Sequence, residues 1–133
     1  MSLAHEGARD GVPSPPTILV VDDEALQREQ LVASLSDLGV GIFQAGNGEE
    51  ALAMIAAHQP GLVIMDIRMP VLDGVGAVDR LSACGSDIKI ILMTGDPVSL
   101  HAAHARRPNV FTIIEKPIPL RVLRRFVIEA LAL

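Results

Sequence analysis

The sequence predicts an α/β fold in which a parallel sheet carries helices on both faces. Short apolar runs recur at Ile18–Val21, Ile42–Ala45, Leu62–Met65, Ile88–Met93 and Val110–Ile114. A helical stretch follows each run, so five strands and five helices alternate strictly. Such alternation implies right-handed crossovers over one parallel sheet. Composition agrees: 50% of the 133 residues are hydrophobic and 20% charged, the balance of a single globular domain.

In chain order, residues 1–16 hold Gly7, Gly11, Pro13, Pro15 and Pro16 and read as a flexible N-terminal tail ahead of a domain at 17–133. Four apolar runs are nearly continuous and rich in branched residues, as strands covered on both faces require. Ile42–Ala45 sits beside two glycines and is expected at the sheet edge. The first helix, about Ala25–Leu38, aligns Leu31, Leu35 and Leu38 in one stripe. The second starts at Asn47, a good N-cap, with Glu49 and Glu50 where the helix dipole favours negative charge. The third follows Gly74 and the fourth follows Pro97. The last, from about Pro119, places Leu120, Leu123, Val127 and Ala130 on one face. Arg121, Arg124 and Arg125 are expected to turn away from that face together, as a solvated surface or a contact for an acidic partner.

Several function classes drop out. Three Phe and no Trp or Tyr leave little for base stacking, and a net charge of −5 argues against direct nucleic-acid binding. The balance is uneven: residues 1–100 hold five Lys/Arg against 14 Asp/Glu, a net of −9, and residues 101–133 hold six against two, a net of +4. Cys84 is alone, so no internal disulfide exists and a reducing compartment is the natural reading. No apolar stretch is long enough for a membrane span and no signal-peptide pattern occurs, which makes a cytoplasmic location the default. His101 and His104 stand three apart without a third ligand and read as surface histidines.

The chemistry gathers at the strand ends. The first strand ends in Asp22-Asp23-Glu24, the third in Asp66, the fourth in Thr94-Gly95-Asp96, and the fifth leads to Glu115-Lys116-Pro117. In open parallel sheets, ligands bind at the carboxyl ends of the strands. Three carboxylates brought together repel unless a cation neutralises them, and Mg²⁺ with carboxylate, water and phosphate oxygens is the simplest answer. Thr94 and Lys116 on the same rim suit phosphoryl oxygens, and an aspartate can itself be the nucleophile.

The run Ile18–Glu24, then Met65-Asp66-Ile67-Arg68-Met69-Pro70-Val71-Leu72-Asp73-Gly74, then Met93-Thr94-Gly95, then Glu115-Lys116-Pro117 resembles the receiver domain of bacterial response regulators. The resemblance spans about residues 17–131. It implies a flavodoxin-like doubly wound sheet in the order 2-1-3-4-5, an order that general fold rules already assign to the chemotaxis receiver. It also implies that Asp66 accepts the phosphoryl group from a histidine kinase or phosphotransfer protein. Asp23, Asp66 and the backbone carbonyl of Arg68 match direct Mg²⁺ ligands, and Asp22 matches one acting through water. Thr94 matches the hydroxyl that bonds the new phosphoryl group, and Lys116 its cationic partner. The Lys116–Pro117 bond matches a cis peptide. Arg68 and Asp96 are expected to approach each other or the phosphoryl oxygens, partly covering the site and so tuning hydrolysis.

One position departs from the family: Ile113 stands where a switching Tyr or Phe is usual. Phe111, two residues earlier, is expected on the same sheet face by strand alternation. Two other function classes remain. A haloacid-dehalogenase-type phosphatase uses the same residue types but needs Asp-x-Asp on the first strand, where this chain has Asp22-Asp23-Glu24. A pseudo-receiver that only binds proteins would not need every acidic and cationic position filled. The output partner or domain is not legible, and homodimerisation stays open.

Overall fold

The computed structural model describes residues 14–133. The elements in order are β1 (Thr17–Val21), α1 (Ala25–Leu35), β2 (Gly41–Ala45), α2 (Gly48–His58), β3 (Leu62–Asp66), α3 (Gly74–Ala83), β4 (Lys89–Thr94), α4 (Pro97–His104), β5 (Thr112–Glu115) and α5 (Leu120–Leu131). Short 3₁₀ turns at Ser36–Leu38 and Arg107–Asn109 follow α1 and α4. The sheet is parallel throughout, in the order β2-β1-β3-β4-β5, so β2 lies at an edge. Of the expected tail, residues 1–13 lie outside the described residues. Pro16 is already tied in, its carbonyl accepting from the Gly41 N–H at 3.0 Å.

Strand alternation sorts the apolar side chains into two cores. Ile18, Val20, Leu62, Ile64, Ile91 and Met93 meet Leu31 and Leu35 of α1 and Leu123, Val127 and Ala130 of α5. Leu19, Val21, Val63, Met65, Ile90 and Leu92 meet Ala51 of α2, Ala77, Val78 and Leu81 of α3 and Ala103 of α4. Burial of both sheet faces explains why the strands read as continuous apolar runs.

Three expectations need correction. The α-helix of α1 stops at Leu35 and tightens into the 3₁₀ turn, with Gly39 at φ 74° ending it. Leu120 is 41% exposed, since it opens α5 beyond the edge of the core. Arg124 does not join Arg121 and Arg125 in a free basic face. Its guanidinium donates to the Ser34 carbonyl at 2.5 Å and to Asp37 Oδ1 at 2.6 Å, clamping α5 to the end of α1. That pairing holds the Asp37 carboxyl below its ordinary value.

Phe111 also departs from expectation. Because β5 begins at Thr112, strand alternation does not reach Phe111. Ile113 packs on the α2–α3–α4 side, whereas Phe111 sits edge-on to Phe126 of α5 at 6.5 Å between ring centroids. The two residues therefore serve opposite faces of the sheet.

The β3–α3 connection is closely packed. The Gly74 N–H donates to the Ile67 carbonyl at 2.8 Å, and a Cβ at Gly74 would lie 2.7 Å from the Asp66 carbonyl oxygen. Val71, in the same loop, adopts φ 70° with its side chain 79% exposed. A left-handed conformation costs an L-residue about 1–2 kcal/mol, and no burial offsets it here. Gly74→Ala should cost about 1–3 kcal/mol in denaturant unfolding, because backbone must move to admit the methyl group; unchanged stability would show that the loop yields freely.

Candidate functional site

Register brings the polar strand ends to one rim. Val21 pairs with Met65, so Asp22 stands level with Asp66; Asp66 pairs with Met93, and Thr94 with Glu115. Thr94 thus comes one residue beyond that level on β4, and Lys116 two residues beyond it, just past the end of β5. Carboxylate oxygens of Asp22, Asp23 and Asp66 lie within 4.8 Å of one another.

The three carboxylates have unlike surroundings. Asp22 is fully buried. Its Oδ1 accepts from the Glu24 N–H at 2.9 Å, and its Oδ2 has no partner. Burial pushes its pKa above the ordinary value; the Glu24 N–H opposes, the Asp66 charge adds, Lys116 opposes and Asp23 adds. Asp66 is 7% exposed, and its Oδ2 accepts from Lys116 Nζ at 2.9 Å. Asp23 is exposed at the mouth. Two like charges 4 Å apart repel by about 4 kcal/mol at an effective dielectric of 20. One ammonium does not balance three carboxylates.

The chemistry of this donor set fits a hard divalent cation. Oxygen-only ligands suit such an ion, and the orphaned Asp22 Oδ2 is a buried acceptor that calls for one. With ligand oxygens all within 4.8 Å of one another, the three carboxylates are close enough to share one such cation. Among the described residues, this is the group of acidic and histidine side chains able to hold a metal. His104 instead lies with Nδ1 3.2 Å from Arg107 Nη1.

Thr94 is buried, and its Oγ1 accepts from the Asp96 N–H at 3.1 Å. Asp96 caps α4, accepting from the Ser99 N–H at 2.9 Å, and its carboxyl is held below the ordinary value first by that bond and more weakly by Arg68. Arg68 Nη1 approaches Asp96 Oδ1 at 3.7 Å across an open cleft of about 600 Å³ that also touches Asp23 and Asp73. Lys116 precedes a cis peptide to Pro117.

Two contributors were not evident in the sequence. Gln27 Oε1 accepts from Lys116 Nζ at 3.1 Å, and Arg28 Nη1 donates to the Asp22 carbonyl at 2.5 Å. Both project from the first turn of α1, immediately after the acidic strand end. That position was the available signal, since a helix starting at the rim points its first turn back at the site.

The sequence matches the response regulator receiver domain over residues 18–128. The chain belongs to this family. The response regulator MprA of Mycolicibacterium vanbaalenii is 42% identical over 90 residues, covering 67% of this chain and 39% of that protein. The tetrathionate response regulatory protein TtrR of Salmonella typhimurium is 30% identical over 115 residues, 86% of this chain and 56% of TtrR. Among solved structures, the receiver domain of NtrX from Brucella abortus superposes with a TM-score of 0.77 at 30% identity, covering 86% of this chain and 98% of that one. The autoinducer 1 sensor kinase/phosphatase LuxN of Vibrio harveyi matches over only 10% of its length, so this receiver domain spans from a tenth to about half of these curated relatives. It is a receiver domain of the two-component type, with an acidic pocket able to bind a metal ion. No helix of its described residues is long and apolar enough to cross a membrane.

The raised pKa of Asp22 sets a pH dependence. A carboxyl whose folded-state pKa exceeds its unfolded value of 3.8 stabilises the fold below that value, and the contribution disappears as pH rises through the folded-state pKa. At neutral pH, Asp22→Asn should therefore raise the melting temperature of the metal-free domain. A lower metal-free melting temperature would contradict the electrostatic account of Asp22.

Proposed function

We propose that this domain, over residues 17–133, takes a phosphoryl group onto Asp66 from the phosphohistidine of a histidine kinase or phosphotransfer protein. The reaction is Mg²⁺-dependent, and the phosphorylated domain controls an output partner or domain. The observation that carries this is the Lys116 ammonium bonded to Asp66 at 2.9 Å inside a three-carboxylate cluster. An anion-binding cation and a cation-binding acidic group side by side form an environment for phosphate.

Asp66 is suited to be the nucleophile. It stands at the end of the central strand, and the backbone at Ile67 and Gly74 fixes it from behind. In the transfer, the donor P–N bond breaks, an O–P bond to Asp66 forms, and the imidazole nitrogen regains its electron pair. Asp22, Asp23, Asp66 and the Arg68 carbonyl would hold Mg²⁺, with Asp22 acting through water; the ion would offset negative charge on the phosphoryl oxygens. Lys116 then binds one phosphoryl oxygen and Thr94 another.

A response to phosphorylation would leave the site through Thr94. Turning its hydroxyl to the phosphoryl group breaks the bond from the Asp96 N–H, and Asp96 is the cap of α4. This path needs no aromatic ring at Ile113. The domain's basic C-terminal segment, with Arg121 and Arg125 exposed and Arg124 engaged with Asp37, offers a smaller acidic-partner contact than its charge count suggests.

Incubation with a small phosphodonor and Mg²⁺ should add one phosphoryl group by mass spectrometry, and Asp66→Asn should abolish it. Asp23→Ala should remove Mg²⁺ binding, whereas Asp22→Ala should weaken it. Labelling of the Asp66 variant would sink the reading.

The Arg68–Asp96 pair partly covers the cleft that an attacking water must cross. With Arg68 exposed and 3.7 Å from Asp96, the pair adds little to stability, and its effect is kinetic. Arg68→Ala and Asp96→Asn, the latter keeping the α4 cap, should each shorten the life of the phosphorylated domain by up to about tenfold, equivalent to ~1.4 kcal/mol of barrier. The double variant should add little more; unchanged decay in all three would discard the gate.

A further inference from the structure

Two acceptors hold the Lys116 ammonium, and only one of them belongs to the acidic cluster. Asp66 Oδ2 lies 2.9 Å from Nζ and Gln27 Oε1 lies 3.1 Å from it. We propose that Gln27 is a positioning residue for phosphoryl transfer, fixing the Lys116 ammonium so that its remaining N–H meets the incoming phosphoryl group. The proposal rests on the phosphoacceptor reading of Asp66.

An ammonium carries three N–H groups in a tetrahedral array. With one on Asp66 and one on Gln27, the direction of the third is set. With Asp66 alone, the ammonium pivots about a single bond at the end of a flexible four-carbon stem. Placement of this kind is what phosphoryl transfer draws on.

A neutral amide suits the task. A carboxylate at position 27 would add a fourth negative charge to the rim and compete with phosphoryl oxygens for the ammonium. The amide accepts a hydrogen bond and leaves the charge balance alone. It is also unchanged by the reaction, whereas Asp66 loses its carboxylate charge when the O–P bond forms. Leu31, Pro117 and Ile118 contribute apolar surface to the adjoining cleft of about 510 Å³. The next residue, Arg28, grips the Asp22 carbonyl, so a single helical turn anchors the cationic and the anionic sides of the site.

The chain has two lysines, Lys89 and Lys116, so a side-chain ammonium spectrum contains two signals. Lys89 Nζ donates to the Ala130 carbonyl at 2.7 Å, far from the rim, and serves as an internal control. Gln27→Leu keeps size and helix propensity but removes the acceptor; Gln27→Glu keeps an oxygen at the same reach. In ¹H–¹⁵N spectra, Gln27→Leu should broaden the Lys116 signal through exchange with water, and Gln27→Glu should retain it, with Lys89 unchanged in both. With a small phosphodonor and Mg²⁺, Gln27→Leu should lower the saturating phosphorylation rate about tenfold and leave the half-saturating Mg²⁺ concentration within about twofold. A protected Lys116 in Gln27→Leu, or lost protection in folded Gln27→Glu, overturns the proposal. So does a phosphorylation rate in Gln27→Leu equal to wild type. Wild-type protein with a protected Lys116 and no phosphoryl uptake would strike the phosphoacceptor reading, and the transfer role of Gln27 with it.

Discussion

Repulsion among Asp22, Asp23 and Asp66 is the constraint around which the rest of the domain is arranged. Parallel pairing of β1 with β3 sets two of these carboxylates level, and the third follows in the next residue of the chain. Nothing in the sheet can relax this, because sliding a strand by one residue would turn its apolar side chains to the wrong core. The two buried clusters therefore hold the acidic group together against its own charge. Lys116 answers part of that charge, and the unpartnered Asp22 Oδ2 marks the part left over. Removing Lys116 would cost more than its pair with Asp66 contributes, since the Asp66 carboxylate would be left buried and uncompensated.

The walls of the site divide the labour. Behind Asp66, close packing of Gly74 against its carbonyl leaves no slack in the β3–α3 connection. On the α1 side, Gln27 and Arg28 hold side-chain and backbone atoms of the rim. On the α4 side, Thr94, Asp96 and Arg68 form a chain of single, exchangeable contacts: a 3.1 Å hydrogen bond, then an ion pair at 3.7 Å. Rigid support on one side and replaceable contacts on the other direct any rearrangement towards α4.

The arginines show how charge counting misleads. Residues 101–133 carry a net of +4, yet Arg106 is bound to Asp79 and Arg124 to Asp37, each bridging two elements. These guanidiniums are fasteners between helices, and the shifts they cause in Asp79 and Asp37 follow from that pairing. A patch inferred from the sequence total is therefore larger than the one exposed on the surface.

The sequence by itself determined the alternation of strands and helices, the two-sided burial of the strands, and the placement of Asp22, Asp23, Asp66, Thr94 and Lys116 at the strand ends. Each of these is a local property: apolar period, cap chemistry, or a polar residue directly after an apolar run. The family motifs added the strand order and the cis bond before Pro117. Tertiary structure alone decided that Arg124 clamps α1, that Phe111 and Ile113 face opposite cores, and that Gln27 shares Lys116 with Asp66. Those facts depend on which helices lie side by side and where β5 begins, and partners such as Gln27 and Lys116 lie 89 residues apart. No local pattern reports a hydrogen bond over that separation, because it exists only once the sheet has brought both ends of the chain to one rim.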